Sequence, residues 1–88
     1  AIYRPGLTVY FKGIIIESDR TSNVLMKNRK TTVAFYDVNY QKVSQLELTT
    51  NEFGSFSGSF VAPTSGLTGQ MRISNEGGTV YFSVEEYK

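Results

Sequence analysis

The sequence predicts an all-β fold, an antiparallel β-sandwich of about seven strands, and three observations predict it. Apolar residues recur with a period of two along the chain. Glycine and proline punctuate it about every ten residues, the rhythm of short strands joined by turns. No stretch carries apolar residues at helical spacing.

Taken in order, Ile2 and Tyr3 make a short opening strand, ended by a turn at Pro5-Gly6. Proline fixes φ at the second turn position and glycine accepts a positive φ at the third. Thr8 to Glu17 is the first long strand, with Val9, Phe11, Gly13 and Ile15 on one face and Tyr10, Lys12, Ile14 and Ile16 on the other. The Ile14-Ile15-Ile16 run implies that both faces are covered towards that end, or that they meet a neighbouring domain. Ser18 to Lys30 is polar and irregular, the longest expected loop and a place for variable function.

Thr31 to Tyr36 returns as a strand with Val33 and Phe35 on its inner face. Asp37 to Gln41 is a hairpin connection, since Asp and Asn tolerate the left-handed conformation. Val43 is out of phase with Leu46 and Leu48, which predicts a bulge or irregular start near Ser44. A turn at Thr50 to Gly54 leads into Ser55 to Val61, where Phe56, Gly58 and Phe60 point inward and three serines outward. Pro63 to Gly66 breaks that strand. Gly69, Met71 and Ile73 form the inner row of the next, and Gly77-Gly78 turns the chain. The last strand places Val80, Phe82 and Val84 inside, with Thr79, Tyr81, Ser83 and Glu85 outside. This pattern suits an immunoglobulin-like or fibronectin-III-like sandwich, with a small barrel as the main rival.

Eighty-eight residues make one domain, 1–88. Without cysteine the fold rests on its apolar core, to which six Phe and six Tyr bring much area per residue. Nine Lys and Arg against eight Asp and Glu give a net charge of +1, no long-range field to draw in nucleic acid or anionic lipid. No apolar run approaches the ~20 residues of a bilayer-spanning helix, so no direct membrane insertion is expected. The chain starts at Ala1 without an initiator methionine or an apolar signal segment, which suggests a domain excised from something longer.

The absence of cysteine and histidine removes thiol nucleophiles, Ser-His-Asp machinery and the usual zinc ligands. The remaining acids, lysines and hydroxyls form no catalytic pattern, and no catalytic residue, cofactor site or metal site is assigned. Glu85 and Glu86, adjacent on a strand, point to opposite faces and cannot share a substrate. Asp37 and Asn39 resemble the start of a calcium loop but lack its glycine and bidentate glutamate, and turn chemistry explains both. Lys27, Arg29 and Lys30 lie in a loop without aromatic stacking partners, a solvated group rather than a nucleic-acid site. Gly77-Gly78 precedes a strand, so no helix N-terminus is there to hold an anion. No asparagine is followed two residues later by Ser or Thr.

The tyrosines Tyr3, Tyr10, Tyr36, Tyr40, Tyr81 and Tyr87 fall mostly on the outward phase. They have three readings: cover for sheet edges and loops, a protein contact, or a carbohydrate platform.

Several blocks carry a family resemblance. Ile2-Tyr3-Arg4-Pro5-Gly6 with Thr8-Val9 and Lys12-Gly13, the run Thr49 to Phe60 (TTNEFGSFSGSF), Gly66-Leu67-Thr68-Gly69, and Phe82 with Val84-Glu85-Glu86-Tyr87-Lys88 stand in order along nearly the whole chain. Together they resemble the second macroglobulin domain of the α2-macroglobulin family. One departure is Asn39-Tyr40, where relatives often have Asn-Gly, and it predicts a longer or bulged connection in place of a tight primed turn.

The resemblance implies a non-catalytic scaffold module of a protease-trapping, endopeptidase-inhibiting protein. In that family, bait-region cleavage triggers collapse and many members carry a thioester, which needs a cysteine this chain lacks. The implied partners are adjacent macroglobulin domains of the same chain, and target proteases through the full-length protein. The lack of cysteine and of glycosylation sites leans towards a bacterial member, located in the periplasm or cell envelope and often lipid-anchored. Tyr3 and Tyr87, near the chain ends, and the Ser18–Lys30 stretch are the expected inter-domain contacts. The alternative from another class is a cell-surface adhesion or carbohydrate-binding sandwich.

Overall fold

A computed structural model describes residues 2–86. Among them are nine strands: β1 (Ile2–Tyr3), β2 (Thr8–Ile14), β3 (Ile16–Ser18), β4 (Asn23–Leu25), β5 (Lys30–Tyr36), β6 (Lys42–Thr49), β7 (Ser55–Val61), β8 (Gly69–Asn75) and β9 (Gly78–Val84). One sheet has five strands in the order β1-β9-β8-β5-β6. Facing it is the pair β2-β7, and β3-β4 forms a separate hairpin. All pairings are antiparallel except β1 with β9, which is parallel over Ile2↔Ser83 and Tyr3↔Val84. The expected sandwich is therefore present, with more strands than the seven anticipated.

Turn chemistry sets the early path. Leu7 N–H donates to the Arg4 carbonyl across Pro5-Gly6, with Gly6 at φ 83° as a type II turn requires. The first long strand then breaks earlier than its alternation suggests. Ile15 sits between β2 and β3 because its peptide bonds elsewhere: its N–H donates to Gly54 O, and its carbonyl accepts from Met26 N–H. The stretch from Ser18 to Lys30, expected as a loop, contains β4, paired through Ile16↔Leu25, Glu17↔Val24 and Ser18↔Asn23. Asp19 shapes its tip by accepting the N–H groups of Thr21 and Ser22 on one carboxylate oxygen.

Asp37 to Gln41 closes a five-residue connection, Asp37 N–H to Gln41 O, with Tyr40 at φ 62° in the left-handed region. The register then shifts between Phe35↔Ser44 and Tyr36↔Lys42, leaving Val43 as the bulged residue beside the position the sequence predicts. Thr50 ties the start of β5 to the far end of β6. Its buried hydroxyl donates to Met26 O and accepts from Arg29 N–H, while its N–H donates to Arg29 O.

The core lies between the two sheets. Val33, Phe35, Met71, Ile73, Phe82 and Val84 face Val9, Phe60 and Ala62. Five rings run through it in contact: Tyr3 edge-on to Phe82 at 5.7 Å, Phe82 to Phe35 at 5.6 Å, Phe35 to Phe60 at 5.4 Å, and Phe60 stacked on Phe11 at 5.3 Å. Such pairs add to burial because ring edges and faces carry opposite partial charge. The inward residues of β2, β5, β7 and β8 are as the alternation predicts, but Val80 is not. It has the inward phase yet is 67% exposed, because the β2-β7 pair does not extend over this part of β9.

Candidate interdomain surface

Several acids of this domain hold turns or pair across neighbouring segments. Asp37 Oδ1 accepts the N–H groups of Asn39 and Gln41, which makes it a turn residue. Glu76 accepts from the Thr31 hydroxyl, and Glu17 pairs with Arg29 at 3.2 Å. The Asp19 carboxyl is held below its ordinary value, first by the Thr21 N–H and then by the Ser22 N–H, at an exposed hairpin tip. Among the described residues no three of His, Cys, Asp and Glu converge. The surface features are apolar and aromatic instead.

The first is an open cleft of about 740 Å³ along one flank. It exists because β1 covers only the Ser83–Val84 end of β9, and β2 pairs on one side alone, with β7. Tyr3, Phe11, Ile14, Val80 and Phe82 line it. Tyr3, one of the two tyrosines expected at a domain boundary, is half-buried here, its ring against Phe82 and packed on the core. Tyr87, the other, lies outside the described residues.

The second is the end bearing the β3-β4 hairpin. Ile16 and Leu25 stand opposite one another, and the Ile15 peptide ties the hairpin to the turn that carries Phe53 and Gly54. Ile14, Ile16, Val24, Leu25 and Phe53 are each between 47% and 62% exposed. Five large apolar side chains left in water on adjoining segments mark a surface suited to burial against another protein. The triple isoleucine signalled this end, with only Ile15 turned inward. Ile16 and Glu17 of β3 fall in the expected first long strand, whereas β4 lies in the stretch expected as a loop, too short to show a periodicity.

The third lies on the outer face of the five-stranded sheet, where Arg72 lies over the rings of Tyr36 and Tyr40, 4.5 Å from each centroid. Sequence alternation puts Arg72 and Tyr36 on outward phases. It does not reveal that they are cross-strand partners, because register is a tertiary property.

Known proteins are similar to this chain along nearly its whole length. The MG2 domain family model matches residues 1–85. The α2-macroglobulin of Thermotoga maritima is 34% identical over 91 residues, covering 99% of this chain and 6% of that protein. Among solved structures, the trypsin-activated α2-macroglobulin from Escherichia coli superposes with a TM-score of 0.72 at 17% identity, over 98% of this chain and 6% of that one. The chain thus spans a small fraction of the proteins it matches. An all-β sandwich matched by the MG2 model along nearly its whole length, the chain belongs to the macroglobulin domains of the α2-macroglobulin family.

Proposed function

We propose that this domain is a non-catalytic structural and interaction module of an α2-macroglobulin-like protease-trapping protein, in which it positions adjacent macroglobulin domains. The observation that carries this reading is the apolar hairpin end, where Ile14, Ile16, Val24, Leu25 and Phe53 stand exposed on adjoining segments. Such a surface gains free energy by being covered. The E. coli relative is described in a trypsin-activated form, which favours a protease as the target of the whole protein. In this reading conformational change passes through the domain as rigid-body movement against its neighbours. Tyr3 and Tyr87 contribute to the boundaries at the chain ends. Both relatives are bacterial, which favours the periplasm or cell envelope as the location, with a lipid-anchored parent.

The test is Val24→Asp and Leu25→Asp in the parent protein, with retention of a trapped protease as the readout. The substitutions lower retention in the parent. In the isolated 88-residue chain they move the melting temperature by no more than about 3 °C, the shift of an exposed substitution worth roughly 0.5 kcal/mol. A parent indifferent to both changes overturns the reading. Saturable sugar binding by the chain would favour the adhesion alternative.

A further inference from the structure

The outer face of the five-stranded sheet carries one row of side chains across four neighbouring strands. Tyr81 on β9 is opposite Arg72 on β8, Arg72 is opposite Tyr36 on β5, and Tyr36 is opposite Lys42 on β6. Directly paired residues share a face, and their chain neighbours Phe35, Met71, Ile73 and Phe82 fill the core, so the row points away from it. Tyr40 joins from the Asp37–Gln41 connection. Its left-handed backbone, unfavourable for a tyrosine, accompanies a ring centred 4.5 Å from the Arg72 Cζ. Tyr40 and Tyr81 are 64% and 54% exposed, and Tyr36 and Arg72 are half-buried.

The cations of this row stand outside the ion pairs of the described residues. The ion pairs among the described residues are Arg29–Glu17 and Lys30–Glu47, and neither involves Arg72 or Lys42. The nearest acid in sequence to Tyr40, Asp37, gives one carboxylate oxygen to two amides of its own turn. Arg72 is thus a guanidinium held by two rings, with no carboxylate of the described residues in an ion pair with it. Planar N–H pairs of this kind match a carboxylate with two parallel hydrogen bonds, and flanking rings reduce the entropy lost in forming them. Tyrosine and arginine are also the residues that most often anchor protein interfaces.

From this row we infer a docking face for an acidic side chain: an Asp or Glu of another domain of the parent protein engages Arg72 between Tyr36, Tyr40 and Tyr81, with Lys42 at the rim. The inference rests on the module reading and adds a face remote from the core and the chemistry of its partner.

Carbodiimide, which joins an amine to a carboxylate in direct contact, tests it in the parent protein with peptide mass spectrometry. Lys42 is expected to couple to an Asp or Glu outside residues 1–88, and Arg72→Lys, which sets an amine in the row, is expected to add a second coupling to the same acid. Arg72→Gln and Tyr40→Ala, both on the outer face away from the core, should each lower the Lys42 coupling by about fivefold, the equilibrium factor of roughly one cation–π contact. If Lys12 or Lys27 couples to other domains while Lys42 and the Arg72→Lys amine do not, the acidic docking face is wrong and the module reading survives. If no lysine of residues 1–88 couples outside the domain, both fall. An Arg72-dependent binding of the parent to polygalacturonate, with no coupling, assigns the row to an acidic glycan and overturns the inference.

Discussion

The ring of Phe56 lies over Gly13, its partner across the β2-β7 pair, so closely that a Cβ on the glycine would stand 2.4 Å from the ring's Cζ. Two residues along, the relationship is reversed: Phe11 covers Gly58, where a Cβ would stand 2.7 Å from its Cζ. Phe11-Lys12-Gly13 on β2 and Phe56-Ser57-Gly58 on β7 therefore form a reciprocal packing device, each glycine a slot for the opposite ring. Over Gly58, Phe11 also stacks on Phe60, with ring centroids 5.3 Å apart.

Gly13→Ala is expected to destabilise the chain by about 1–2 kcal/mol, since the ring must leave its place. Chemical denaturation measures it. Phe56→Leu in the same chain should recover part of the loss, so the pair is less than additive. Full additivity would show that the ring and the glycine do not meet.

Phe35 sits at the middle of the aromatic series with 0% exposure and touches both Phe60 and Phe82. Phe35→Ala should cost about 3–5 kcal/mol. Val80, in the same inward phase on β9 but open to the cleft, should cost no more than about 0.5 kcal/mol as Val80→Ala. Equal losses at the two positions would mean that the cleft is closed in solution.

Thr50 presents a buried hydroxyl bonded on both sides, to Met26 O at 2.5 Å and Arg29 N at 2.8 Å. Thr50→Val keeps the shape but leaves a donor and an acceptor unpaired, for a loss of roughly 1–3 kcal/mol. Thr50→Ser retains both bonds and should lose less. Urea unfolding of the two variants decides between hydrogen bonding and packing as the role of this residue.

Asp19 has a carboxyl held below the ordinary value by the N–H groups of Thr21 and Ser22. A lowered folded pKa contributes stability that is present above the unfolded value and is lost as pH falls through the folded one. NMR titration should find the Asp19 carboxyl changing below the ordinary carboxylate value, with the Thr21 and Ser22 amide signals following the same midpoint. Asp19→Asn should abolish that shared transition. An Asp19 midpoint at or above the ordinary value would mean that the hairpin tip is open in water.

How much of this was legible depends on which force places each residue. Burial follows alternation, so Val33, Phe35, Phe60, Met71, Ile73 and Phe82 could be assigned to the core from their phase alone. Turn residues carry local instructions, which is why Pro5-Gly6 and the bulge at Val43 were foreseeable. The hairpin β3-β4 was not, because the three-residue β4 is too short to show a periodicity. Nor was the exposure of Val80, which depends on where the opposite sheet stops. Tyr3 was marked for a boundary by its place near the chain end, and the parallel pairing of β1 with β9 brings its ring onto Phe82. Arg72 carried no signal as a single residue between Met71 and Ile73, since only cross-strand register brings the tyrosines to it.

A module that positions its neighbours through the apolar hairpin end has that end covered once the domain sits in its parent. Amide hydrogen exchange at Asn23–Leu25 and Met26, compared between the 88-residue chain and the parent protein, tests this most directly. Exchange slowed in the parent by at least about tenfold, ~1.4 kcal/mol of added protection, is the result expected. The same rates in both would leave Ile16, Val24, Leu25 and Phe53 facing water in the assembled protein, and the domain without the contact proposed for it.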